Sequence, residues 1–164
     1  MPVRPILHWP DARLSTRCET IDGIDDDLRV LAADMFETMY AAPGRGLAAP
    51  QVGVLRRMFV MDVGWKDGTP SPVAMINPDI LWMSEARTTG AEGCLSLPGL
   101  TTDISRATSI RIRWTDLEGQ AVEAELSGFA AVCAQHEFDH LDGIVTLMRL
   151  PAAARAKAEA AYYL

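Results

Sequence analysis

Apolar residues recur at helical spacing just after an acidic run at residues 25–27. Their separation of three or four positions is the pattern of a helix that buries one face. Negative side chains at the start of such a helix interact favourably with the positive end of its dipole. The pattern therefore predicts an amphipathic helix that ends near "PGRG" at residues 43–46, with these residues in the core: Leu28, Leu31, Ala32, Met35 and Met39.

Other apolar positions follow the period of a strand. The runs "RMFVMDV" at residues 57–63 and "VAMIN" at residues 73–77 predict short buried strands. Between residues 109 and 127, apolar and charged residues alternate on both sides of the turn "DLEG". This alternation predicts a hairpin with one face in water, whose arginines and glutamates can pair across the strands.

Two further helices complete the expected fold. One is predicted to begin after Ser127, a residue type common at helix N-caps, and to end at Gly143. A last alanine-rich helix is predicted to begin at Pro151, since proline suits the first helical position. The elements predict an α+β fold in which antiparallel strands and hairpins pack around a central helix, with an N-terminal helix and a short C-terminal helix.

Composition narrows the class of protein. With 164 residues, 49% hydrophobic and 23% charged, the chain suits one domain, and no linker divides residues 1–164. Its formal charge of -7 and its scattered basic residues argue against a nucleic-acid surface. The first residues contain several prolines, and no apolar run is long enough to cross a membrane. We therefore expect a cytoplasmic protein without a membrane partner.

The central helix carries a candidate metal site in "AQHEFDH" at residues 134–140. His136 and His140 lie four residues apart, about 40° around a helix, so both imidazoles can reach one ion from the core face. Glu137 projects to the side of that line and can lie near the ion without binding it. Two core histidines satisfied by hydrogen bonds are the alternative, but the HExxH pattern also places a carboxylate that packing does not need.

A catalytic metal usually has three protein ligands, so a third is needed. Downstream of His140 the well-spaced helical carboxylate is Glu159, which stands among surface helix formers and is interpreted as solvated. Upstream, "AEGCLSLPG" places Cys94 in a segment of strand length that can run against the helix. Alone, this cysteine is more typical of a core, but the two histidines favour a ligand, and a thiolate with two imidazoles suits a divalent transition metal.

The other cysteines and a glycine-rich loop have simpler interpretations. Cys18 and Cys133 are expected to be reduced, small buried side chains, because three cysteines at these spacings fit neither a disulfide framework nor a metal knuckle. In "GRGLAAPQVG", Gly44 and Gly46 let the backbone approach a ligand, and Gln51 offers an amide donor. Taken alone, this loop is a turn with Gln51 exposed.

The segments "GRGLAAPQ", "EGCLS" and "QHEFDH", in this order, resemble the three signature motifs of peptide deformylases, and the resemblance covers nearly the whole chain. It implies metal ligation by Cys94, His136 and His140 and catalysis by Glu137. It also implies that Gln51 and the backbone amide of Leu95 stabilise the transition state. The family removes the N-formyl group from the initiator methionine of nascent chains, usually with Fe²⁺; this ligand set also accepts Zn²⁺, Ni²⁺ or Co²⁺.

The same resemblance suggests where an N-formylmethionyl peptide would bind. Three residues on the turns before His136 are predicted to line the methionine pocket, with plain core packing as the alternative: Phe129, Val132 and Cys133. The loop residues Gly44, Arg45 and Gly46 are predicted at the entrance. Arg45 stands where the family commonly has a small aliphatic residue, and Gly90 and Ala91 stand where bulkier or acidic residues are common. We therefore expect a different pocket mouth.

Two other functions fit parts of the pattern. A zinc endopeptidase would use Glu159 as its third ligand, and a silent paralogue would keep the metal without turnover. Glu137 and Gln51 argue against a silent protein, because neither is needed merely to hold an ion. A transient ribosome contact has weak support, since the tail after Leu150 has only Arg155 and Lys157 as positive charges.

Overall fold

The first helix begins at the acidic segment, as predicted. In the computed structural model, which describes residues 2–164, α1 spans Asp26–Ala41. The Asp25 side chain caps it by accepting a hydrogen bond from the backbone N–H of Leu28. Met35 and Met39 are fully buried against one face of a sheet. The predicted core residues of this helix are all buried.

In the described residues, seven strands form two antiparallel sheets, which confirms the α+β class. The strands are β1 Gly46–Ala48, β2 Met58–Met61, β3 Val73–Met83, β4 Arg87–Gly93, β5 Thr101–Ala107, β6 Ser109–Thr115 and β7 Ala121–Ser127. The five-stranded sheet has the order β1-β2-β3-β6-β7, and β4 pairs with β5 in a separate hairpin. The predicted strand at residues 73–77 is longer than expected, and the β4-β5 hairpin was not predicted.

The hairpin of β6 and β7 has the predicted alternation, with Ile110 and Ile112 fully buried. Its charged face pairs diagonally, because Arg111 stands opposite Glu125 in the register but its Nε lies 3.9 Å from the Glu123 carboxylate. Both partners are about half exposed, so this contact adds little to the free energy of unfolding.

The central helix, α2, spans Gly128–Leu141 and packs its alanine and leucine side chains against the buried face of the five-stranded sheet. Ser127 occupies the N-cap position, although its side chain makes no capping hydrogen bond. Gly143 follows the helix with φ of 74°, a conformation that favours glycine. The sheet thus holds α2 with its histidines directed inward.

The last helix, α3, spans Ala152–Tyr162 and packs beside the N-terminal segment. Pro151 occupies its N-cap rather than its first helical position, because its ψ of 153° is not helical. Within residues 2–164 no helix combines the length and the apolar character that a membrane span requires.

Candidate active site

The structure brings the three predicted metal ligands together. The Sγ atom of Cys94 lies 3.4 Å from Nε2 of His140. The two imidazole rings of His136 and His140 have centroids 5.1 Å apart, and one ligand atom from each of the three residues lies within 4.8 Å of the others. Both histidines are buried, and Cys94 is half-buried.

Cys94 reaches this position from a turn rather than from a strand. β4 ends at Gly93, and the N–H of Leu97 then donates to the carbonyl of Cys94 over 2.9 Å. The predicted strand is therefore correct only up to Gly93. The turn places the thiol beside α2, with Sγ near Nε2 of His140.

The donor set fits a transition-metal ion. A thiol and two imidazoles that converge within 4.8 Å match the ligand types and the spacing that divalent transition metals require. Of the residues that the structure describes, Glu159 is not in this group and instead accepts a hydrogen bond from Arg155 over 2.7 Å. The carboxylate considered for a zinc peptidase thus lies in an ordinary helical ion pair.

A buried carboxylate that was not predicted orients His136. Oε1 of Glu92 lies 2.9 Å from Nδ1 of His136, and both oxygens of Glu92 accept hydrogen bonds from Arg106 over 2.9 Å. Burial disfavours the charged carboxylate, but the hydrogen bonds from His136 and Arg106 outweigh it and lower the pKa of Glu92 to about 2. An ionised partner on Nδ1 leaves Nε2 of the ring available to a metal.

The same ion-pair network continues to the surface. Arg106 donates to Asp139 over 2.6 Å, and Asp139 also accepts from Arg149, whose side chain is half exposed. Asp139 lies within the HExxH motif, on the side of α2 that faces β5. Every charged side chain in this ion-pair network has a partner of opposite charge, which is the condition under which buried charges are tolerated.

The histidines respond differently to this environment. Burial opposes the charged form of His136, but hydrogen bonds with Cys94 and Glu92 outweigh it and raise its pKa well above the ordinary value. Burial and the neighbouring His136 lower the pKa of His140 well below it. Of the two rings, the one that contacts Glu92 is therefore the one whose environment favours the protonated form.

Glu137 is buried beside the three ligands and is not among them. Its Oε1 atom lies 3.9 Å from Nε2 of His136, and Oε2 has no hydrogen-bond partner within residues 2–164. Burial raises the pKa of Glu137 to about 7, and the charge of a bound cation would lower it. A carboxylate with one unsatisfied oxygen and a pKa near neutrality is suited to moving a proton.

Gly46 explains how Glu137 reaches the site. A Cβ atom on Gly46 would lie 2.7 Å from Oε1 of Glu137 and 2.9 Å from Sγ of Cys133. Only glycine therefore lets β1 approach α2 this closely.

Gln51 is buried, so the interpretation of its loop as an exposed turn is wrong. Its Oε1 atom accepts a hydrogen bond from the N–H of Ala48 over 2.9 Å. Its Nε2 atom donates to Oγ of Ser96 over 3.0 Å and lies 3.7 Å from Sγ of Cys94. Because the N–H of Ala48 occupies the oxygen, the NH₂ group must point to Cys94.

These residues line a cavity of about 570 Å³. Its walls include every predicted site residue except His140. Leu95 lines the cavity as well, and its side chain packs against Gly44, where a Cβ atom would come within 2.8 Å. Phe129 is exposed at the mouth, Cys133 is buried, and Val132 lies between these extremes.

The cavity mouth carries positive charge. The Arg45 guanidinium donates to the carbonyl of Val63 over 2.9 Å, lies 3.5 Å from the Asp67 carboxylate and covers the Phe129 ring at 5.4 Å. Lys66 lines the same cavity and was not predicted. Another wall, also unpredicted, comes from the loop after Cys94 and the first residue of β5: Leu97, Pro98, Gly99, Leu100 and Thr101.

Comparison with known proteins gives relatives that all belong to one family. A sequence model of the family described as "Polypeptide deformylase" matches residues 3–156. The peptide deformylase of Alkalilimnicola ehrlichii is 51% identical over 143 residues, covering 87% of this chain and 79% of the relative. That of Phenylobacterium zucineum is 40% identical over 158 residues, covering 96% and 94%.

Solved structures that resemble this chain belong to the same family. The peptide deformylase of Ehrlichia chaffeensis superposes with a TM-score of 0.91 at 38% identity, covering 98% of this chain and 95% of that one. The peptide deformylase of Thermotoga maritima gives a TM-score of 0.87 at 40% identity, covering 92% and 99%.

Proposed function

The chain belongs to the peptide deformylase family, and on that premise we propose which of its residues remove the N-formyl group from the terminal formylmethionine of nascent polypeptides. The observation that carries the proposal is the convergence of Cys94, His136 and His140 within 4.8 Å. Residues 1–164 act as one catalytic domain. Because nascent chains are the substrate, the proposal places the protein in the cytoplasm.

Cys94, His136 and His140 would hold one divalent metal, Fe²⁺ first, with Zn²⁺, Ni²⁺ or Co²⁺ as substitutes. When bound, such an ion acidifies water and polarises a carbonyl oxygen. Glu92 supports this role because it holds Nδ1 of His136 at 2.9 Å and so orients the ring.

Glu137 moves the proton of the reaction. Its carboxylate accepts a proton from the attacking water and passes it to the amine nitrogen as the C–N bond breaks. The products are formate and a peptide with a free amine. The position of Glu137 beside the ligands, with Oε2 lacking a partner in the described chain, supports this role.

Gln51 and the backbone N–H of Leu95 stabilise the oxyanion that forms at the formyl carbon. The Gln51 amide is directed into the site because its oxygen is bound by Ala48 and its nitrogen lies near Cys94. A donor that is fixed before reaction costs no reorganisation when charge develops. For Leu95 the support is that it follows Cys94 and lines the same cavity.

The peptide occupies the cavity above these groups. Phe129, Val132 and Cys133 line the pocket for the methionine side chain, and the loop residues Gly44, Arg45 and Gly46 form the entrance. A transient ribosome contact keeps little support, since Arg155 in α3 is already paired with Glu159.

The function is tested by measuring formate release from a formyl-Met peptide with protein purified without oxygen. The expected result is release of formate and a free amino terminus, with no cleavage of internal peptide bonds and no action on the acetylated peptide. Internal cleavage would indicate an endopeptidase, and metal-loaded protein that releases no formate would contradict the proposal.

A further inference from the structure

Trp65 contacts the wall of the active-site cavity without lining it. The residue is half-buried in a short 3₁₀ turn, Trp65–Asp67, in the loop between β2 and β3. Its Nε1 atom donates to the carbonyl of Gly44 over 2.9 Å, and Nζ of Lys66 lies 5.7 Å from the centroid of its ring. Gly44 and Lys66 both line the cavity. Trp65 thus joins two parts of the cavity wall.

The hydrogen bond from Trp65 gives Gly44 its second fixed backbone contact. The N–H of Gly44 donates to the carbonyl of Met39, near the end of α1, over 2.8 Å. Both the N–H and the carbonyl of Gly44 are therefore bonded to the protein, the first to α1 and the second to the indole. The position of Gly44 depends on these two contacts, because glycine has no side chain to hold it in place.

The rest of the entrance loop, residues 44–46, is held from the same side. The N–H of Asp62 donates to the carbonyl of Arg45 over 2.9 Å, and the Arg45 guanidinium donates to the carbonyl of Val63 over 2.9 Å. Gly46 pairs with Met61 at the end of β2. The end of β2 and the loop that follows it therefore support each residue of the entrance loop.

The loop that carries Trp65 is itself anchored to α1. The Trp65 ring packs edge-on against Tyr40, with centroids 5.1 Å apart. The hydroxyl of Tyr40 donates to Oδ2 of Asp62 over 2.6 Å, and Oδ1 of Asp62 accepts from the N–H of Ser71 over 2.8 Å. Asp62 is fully buried, and these contacts satisfy both of its oxygens. The carboxylate thus ties the two ends of the loop to each other and to α1.

We propose that Trp65 is a positioning residue for the substrate, which holds Gly44, and with it the entrance loop, where the peptide beyond the methionine binds. The inference rests on the proposed function, which places residues 44–46 at the entrance. Trp65 acts through Gly44 and does not touch the reacting atoms. Its loss should therefore weaken the binding of residues that follow the methionine and leave the chemical step in place.

One hydrogen bond sets the size of the expected effect. Trp65→Phe keeps an aromatic ring beside Tyr40 but leaves the carbonyl of Gly44 without its indole donor. Loss of one hydrogen bond between uncharged groups typically changes an equilibrium constant by about 2- to 12-fold. KM for formyl-Met-Ala-Ser should rise by about this factor. Turnover should stay near the wild-type value, because Gly44, Tyr40 and Lys66 are neither proposed metal ligands nor proposed catalytic groups.

The test compares formyl-Met-Ala-Ser with formyl-Met amide, which has no residue beyond the methionine, on metal-loaded enzyme. In Trp65→Phe the ratio of kcat/KM for the tripeptide to kcat/KM for the amide should fall by about 2- to 12-fold, through KM for the tripeptide. A purely structural role would lower both values together. Trp65→Leu, which also removes the ring contact with Tyr40, should lower the ratio further.

Trp82→Phe is the matched control. It makes the same change in an exposed tryptophan of β3 that does not line the cavity, and it should keep the wild-type ratio. An unchanged ratio in both Trp65 variants, an equal loss for the two substrates or a fall confined to kcat would overturn the inference. A wild-type enzyme that does not prefer the tripeptide would overturn it as well. Release of formate from neither substrate by metal-loaded wild type would instead contradict the proposed function.

Discussion

Oε1 of Glu92 lies 2.9 Å from Nδ1 of His136. This contact leaves the other nitrogen of the ring available to a metal and links His136, through Glu92, Arg106 and Asp139, to the surface residue Arg149. A proposed metal ligand is thus oriented by an ion-pair network that crosses from the β4-β5 hairpin to α2.

Loss of this contact should weaken metal binding. Glu92→Gln keeps the shape of the side chain but removes the charge that pairs with Arg106 and orients His136. We expect metal affinity to fall by about 10- to 100-fold, as is typical when a partner of a ligating histidine is changed. Competition with a chelator measures this affinity. Arg149→Gln, at the exposed end of the network, should have a smaller effect, and equal affinities for Glu92→Gln and wild type would contradict the orienting role.

Replacement of the thiol should remove the metal itself. Cys94→Ala takes away the anionic ligand of the proposed set, so the purified variant should contain little metal by elemental analysis. Cys18→Ala is the matched control, because it deletes a buried thiol outside the ligand group. Full metal occupancy in Cys94→Ala would mean that the ligand set is wrong.

The Gln51 amide should matter for turnover more than for binding. Gln51→Leu removes a fixed donor near the reacting carbon, and loss of one such donor lowers kcat by about 100- to 1,000-fold. Ser96→Ala removes only the hydroxyl that accepts from Gln51 and should keep most activity. The assay is formate release at equal metal content. A Gln51→Leu variant with near-normal kcat would exclude this residue from the mechanism.

Arg45 should favour acidic residues that follow the methionine. Its charge lies at the cavity mouth with Lys66, although Asp67 at 3.5 Å partly neutralises it. Exposed charge pairs contribute about 0.2–1 kcal/mol, so Arg45→Val should reduce the preference for formyl-Met-Glu over formyl-Met-Lys peptides by roughly 1.4- to 5-fold. Arg29→Val gives the same charge change on α1, away from the cavity, and should preserve the preference. Identical relative rates in Arg45→Val and wild type would show that the arginine does not contact the peptide.

The helical part of the site could be predicted from the sequence because a helix has one fixed period. The spacing of His136 and His140 places both rings on one face of α2, and the apolar residues on the same face indicate that it is the core face. The buried alternation of β6 and β7 is equally direct, since Ile110 and Ile112 follow a period of two.

The β4-β5 hairpin could not be predicted in the same way. Six of the seven β4 residues, all except Glu92, are exposed, so the strand shows no apolar alternation. The contacts of β4 with β5 and α2 join residues that are far apart in the sequence. These contacts bring Glu92 to Arg106 and His136. The turn that aims Cys94 at the histidines depends on the same pairing. The ion-pair network was therefore not predicted, although two of its members, Glu92 and Asp139, lie inside the motifs "EGCLS" and "QHEFDH".

Burial of Gln51 also depends on tertiary contacts. A glycine-rich loop taken alone is typical of an exposed turn. Here the N–H of Ala48 and the hydroxyl of Ser96 bind its amide from two different segments, and this pairing compensates for burial of the polar group.

The central claim is that Glu137 moves the proton in deformylation. Glu137→Gln keeps the size of the side chain beside Gly46 but cannot accept a proton. The most direct test measures metal content, affinity for a formyl-Met peptide and formate release in one preparation of this variant. We expect metal and peptide binding to persist while kcat falls by about 100- to 10,000-fold, as is typical of lost general acid-base catalysis. Formate release at the wild-type rate with metal bound would contradict the account.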